Sequence, residues 1–87
     1  MTPVDLHLQH LRAEIAEALD RVRGKDEREE LTTLDAHAEA TLDETQETDE
    51  HGLRAALNRA ETRFEADHPS LADAIRQTLR ALSDAGL

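Results

Sequence analysis

The stretch FEADHPSLADAIRQTL, residues 64–79, decides how this chain folds. It reads as helix on both sides of His68-Pro69, so the question is what a proline does in the middle. Before the proline the apolar stripe is Leu53, Leu57, Ala60 and Phe64. After it the stripe is Leu71, Ile75, Thr78 or Leu79, and Leu82. Phe64 and Leu71 are seven residues apart, so the stripe keeps its phase across the proline. That continuity admits one long helix kinked at Pro69, or two helices meeting at a corner. An interior proline removes a hydrogen bond and clashes with the carbonyl four residues back, here that of Glu65, at a cost of about 3 kcal/mol. It also pushes His68 away from the α region. Pro69 suits a first helical position, and Ser70 with Asp73 offers a capping pattern slightly later. The start signals favour a break.

Upstream, Val4, Leu8, Leu11, Ile15, Leu19 and Val22 recur at helical spacing and form one stripe. Thr2 is placed to cap this helix, with Pro3 at the first position and Asp5 in the first turn. Gly24 reads as the glycine just past its end, and Asp26 as the cap of the next helix. That second helix carries the stripe Leu31, Leu34, Ala38, Leu42 and Thr45. So short a connection predicts an antiparallel hairpin over about residues 3–45. The stretch DETQETDEHG, residues 43–52, has no large apolar residue to bury. It predicts an acidic linker over about 46–52, with Gly52 as the breaker, followed by helices over about 53–67 and 70–85. Gly86 closes the last one. The fold class is all-α, a four-helix-bundle-like single domain with no strand alternation.

Large apolar side chains are scarce, with one Phe and no Trp or Tyr among 87 residues. So small a core predicts self-association, most simply a homodimer that buries the stripes against a second copy. Twenty acidic residues face ten basic ones, for a net charge of −10. That field disfavours nucleic acid and anionic membranes and permits a basic protein partner. There is no cysteine, so disulfides and thiolate chemistry are excluded. No apolar run is long enough to span a membrane, and the N-terminus lacks the features of a signal peptide. A cytoplasmic location is the expectation.

Phe64-Glu65, His68-Pro69, Leu71, Ile75, Leu82 and the closing Gly86-Leu87 resemble a small bacterial family known as domain of unknown function 4404. There an F-E-x-x-H-P-x-L run leads into a last helix ending in Gly and an aliphatic residue. The N-terminal hairpin is similar too. The resemblance implies a compact helical protein and carries no activity.

Two constellations have metal-ligand chemistry. His7, His10 and Glu14 stand at i, i+3 and i+7 near one helical face, and Glu65 with His68 makes one Glu-x-x-His element. Each is incomplete within one chain and reads first as solvated surface or, for His68, as a turn residue. His37 and His51 stand in acidic surroundings and read as exposed. No nucleophile elbow, phosphate loop or H-E-x-x-H motif occurs, so neither enzyme activity nor a cofactor is expected. Helix-on-helix burial by Leu8, Leu11, Ile15, Leu57, Phe64, Leu71, Ile75 and Leu82 is the chemistry the pattern specifies. A non-enzymatic oligomerisation or interaction module follows from it, with a metal-binding protein or an acidic decoy of a basic surface as alternatives. Phe64→Asp is expected to unfold the protein or reduce it to monomers; an unchanged melting temperature and mass would contradict the assignment.

Overall fold

The computed structural model describes residues 2–43 and 50–86, apart from the side chains of Glu50 and His51. Four helices occupy them: α1 Pro3–Arg21, α2 Lys25–Leu42, α3 Glu50–Phe64 and α4 Pro69–Asp84. Each packs against its neighbours in chain order, and α4 closes back on α1. For the diagonal pairs, α1 with α3 and α2 with α4, no Cα atoms among the described residues come within 8 Å. Cross-helix contacts fix the directions. Arg12 meets Asp35 while Arg28 reaches Leu19 and Val22, so α1 and α2 run antiparallel. Arg76 meets Glu61 while Arg54 meets Ser83, so α3 and α4 do too. The result is a four-helix bundle with a radius of gyration of 12.0 Å, the value expected of a compact chain of this length.

The chain breaks at Pro69. His68 adopts φ −136° and ψ 69°, outside the helical region, and Pro69 takes the first position of α4. The backbone is satisfied on both sides of the corner. His68 N–H donates to the Phe64 carbonyl at 2.8 Å, and the His68 carbonyl accepts from Ala72 at 3.0 Å. The Ser70–Asp73 capping pair does not form; Asp73 accepts instead from Gln77 at 2.8 Å. Nor does the His68 side chain cap α4. At the other end of the chain, Thr2 and Asp5 bond each other's backbone N–H groups in a reciprocal capping box.

Three local expectations need correction. Gly24 is not left-handed: its φ is −76°, and α1 ends because Val22 turns extended with its side chain buried. Arg28 then donates to the Leu19 and Val22 carbonyls, both at 3.3 Å, and does the work assigned to a terminal glycine. Asp26 lies inside the first turn of α2, whose cap is Gly24, with no side-chain bond. Gly52 is no breaker, since α3 already starts at Glu50. Thr45 and most of the expected linker lie outside the described residues. Gly86 does adopt φ 81°, and its N–H bonds the Ser83 carbonyl.

Among the described residues the stripes close inside one chain, with Leu19, Leu42 and Leu79 partly buried at the edges. Leu8, Leu11, Ile15, Leu57, Phe64, Leu71, Ile75 and Leu82 are each at most 1% exposed. Leu31, Leu34 and Leu53 join them, and Leu6 is the exposed large apolar residue among those described. Scarcity of large side chains is offset by small ones. Ala18, Ala38, Ala56, Ala60, Ala72, Ala74 and Ala81 are all buried, and alanine costs no side-chain entropy on burial. The packing reason for a second copy therefore falls away, and self-association must be argued from the surface.

Gly24 and Gly86 separate these accounts. Gly24→Ser supplies the missing cap at a permitted φ and is expected to be neutral or stabilising by a few tenths of a kcal/mol. Gly86→Ala is expected to cost about 1–2 kcal/mol at its positive φ. Urea titration of both variants checks this.

Candidate functional site

The histidine constellations are not assembled. Among the described residues, no three His, Asp or Glu side chains are gathered around a point that a metal ion would occupy. His7 is half-buried on the α4 side of α1, His10 is exposed and Glu14 is half-buried. Glu65 is exposed and turned toward Arg76, at 3.8 Å. His68 packs edge-on against Phe64, with ring centroids 5.7 Å apart and planes at 68°. Arg63 lies over the same phenyl ring at 5.9 Å. The corner histidine is thus a packing element. His37 is half-buried, and the His51 side chain lies outside the described residues.

Arginines organise the seams between helices instead. Arg12 of α1 grips both Asp35 oxygens of α2, at 3.0 and 3.4 Å, and lies 3.8 Å from Glu39. The Asp35 hydrogen bond, against a smaller opposing effect of burial, raises the pKa of Arg12 above that of a free arginine. Arg63 of α3 meets Glu30 of α2 at 3.0 Å, and Arg76 of α4 meets Glu61 of α3 at 3.6 Å. All are partly exposed, so each contributes modestly, about 0.2–1 kcal/mol. Their chief effect is on register. The α1/α4 seam is different: it holds buried Thr78, which donates to the Ala74 carbonyl at 2.8 Å and sits 3.5 Å from the His7 carbonyl. Sequence reasoning passed over these arginines. The available signal was adjacency, since each directly neighbours a stripe residue in Leu11-Arg12, Arg63-Phe64 and Ile75-Arg76.

The charge is unevenly spread. Residues 25–50 hold eleven acidic and two basic residues, a net −9; the rest hold nine and eight, a net −1. Within this segment α2 exposes Asp26, Glu29 and Glu39. Between the start of α1 and the end of α4, with Thr41 of α2 also lining it, runs an open groove of about 1040 Å³. Pro3, Val4, Ala81 and Ala85 line it together with Asp5, Asp73, Asp84, Arg76 and Arg80. It carries both signs of charge.

The arrangement defines an all-α four-helix bundle with a charged, polarised surface and no assembled metal centre among the described residues. The chain belongs to the DUF4404 family, a domain of unknown function whose model matches residues 4–87. No curated protein and no solved structure matches it. No helix among the described residues is long and apolar enough to cross a membrane.

Arg28→Ala removes the two bonds that close α1 and is expected to cost about 1 kcal/mol. Asp35→Asn, at a partly exposed pair, is expected to cost no more than about 1 kcal/mol. Denaturant titration measures both.

Proposed function

We propose that this domain is a non-enzymatic protein-interaction module whose α2 edge receives a basic protein surface. The observation that carries the reading is the charge partition: residues 25–50 hold nine of the ten net negative charges. The apolar face of α2 is spent on the core through Leu31, Leu34 and Ala38. Counted alone, α2 carries six acids against Lys25 and Arg28, a net −4, and the acids that follow its end make up the rest of the segment's charge. Such an edge attracts a cationic partner over roughly a Debye length, about 8 Å at physiological salt, and speeds encounter more than it tightens the complex. Three of its six acids, Glu30, Asp35 and Glu39, already face intramolecular arginines, so Asp26 and Glu29 are the exposed acids left to meet the partner.

A polyarginine peptide serves as the probe, followed by fluorescence anisotropy across a salt series. Asp26→Asn with Glu29→Gln is expected to weaken binding severalfold and flatten its salt dependence. Glu17→Gln with Asp20→Asn removes the same charge from α1 and is expected to do markedly less. Equal effects from the two pairs would reduce the interaction to net charge and sink the proposal.

A further inference from the structure

We propose that the exposed face of α4 is a self-complementary docking surface for a second copy of this chain, paired antiparallel about a two-fold axis. Asp73, Gln77, Arg80 and Asp84 stand at i, i+4, i+7 and i+11, one continuous exposed stripe. Arg80 has no ionic or hydrogen-bond partner among the described residues. In a two-fold contact the same patch meets itself, so each residue pair occurs twice. Setting Asp73 opposite the partner's Arg80 places the axis between Arg76 and Gln77. This register makes two Asp73–Arg80 pairs. It also carries each Asp84 to the start of the other α4, by Pro69. That end has no side-chain cap and no acid in its first turn, so its unpaired N–H groups favour an incoming carboxylate.

Repulsion selects the same face. Two chains of net charge −10 oppose each other most strongly through the α2 edge. α4 lies diagonally across the bundle from α2, with no Cα pair within 8 Å among the described residues. It carries two acids and two arginines, so it is neutral. Pairing through α4 turns both α2 edges outward, where they stay free for a basic partner. The groove beside α4 gives the second copy a concave seat lined partly by Pro3, Val4 and Ala81.

The test is absolute mass in solution, by light scattering behind a sizing column, on the 87-residue chain and three variants. The wild type is expected at twice its 9.7 kDa chain mass. Arg80→Asp alone and Asp73→Arg alone each set like charges opposite each other, and both are expected at 9.7 kDa. The double variant, Asp73→Arg with Arg80→Asp, restores opposite charges in the same register and is expected to recover the doubled mass. Both side chains are exposed, so circular dichroism should show all variants folded. A wild type that is monomeric at every concentration overturns the proposal and leaves the face to another occupant. So does a dimer that survives either single exchange, or a double exchange that fails to recover it. Polyarginine binding by the Arg80→Asp variant reads the α2 proposal separately, because no α2 residue changes.

Discussion

Pro69 carries no amide hydrogen, and the corner this forces at His68 turns one continuous apolar stripe into two walls of a bundle. Without the break, residues 50–84 would form one rod whose single stripe exceeds the length of the α1/α2 hairpin. With it, α3 covers α2 while α4 folds back over α1. The unchanged phase across the corner lets Phe64 and Leu71 enter the same core. Phe64 and His68 then brace the corner with their rings, so the residue displaced by the proline is put to use in packing.

Much of this was legible because periodicity and capping are local. Thr2 with Asp5, Pro69 as a first position and Gly86 as a left-handed end all follow from short-range rules that tertiary contacts did not override. The failures were also local in appearance and tertiary in cause. Gly24 and Asp26 read as caps, but Arg28 had taken over the α1 terminus from across the turn, and no one-dimensional rule contains that contact. The core was underestimated because only the large apolar side chains were weighed. A helix pair closes around small residues as well as large ones, and seven buried alanines let this chain seal its own interior.

The candidate site was less legible than the fold. Spacing alone placed His7, His10 and Glu14 together, but burial divides them: one faces the groove, one faces solvent, and no third ligand joins them among the described residues. The polarity of the surface was hidden by the whole-chain net charge. Only when the four helices are laid out in a square does one corner prove acidic and the opposite corner neutral. Arginines at the edges of the stripes then join the acidic corner to its neighbours without cancelling it.

The return of α4 to α1 brings the two outer ends of the bundle together. Thr2 and Pro3 line one end of the groove with Asp84 and Ala85. A polypeptide entering this domain therefore leaves it almost where it came in. Such a unit can be set into a surface loop of a larger protein with little distortion of the host. For the same reason the two outer ends of the bundle can be joined and new ones opened at another turn.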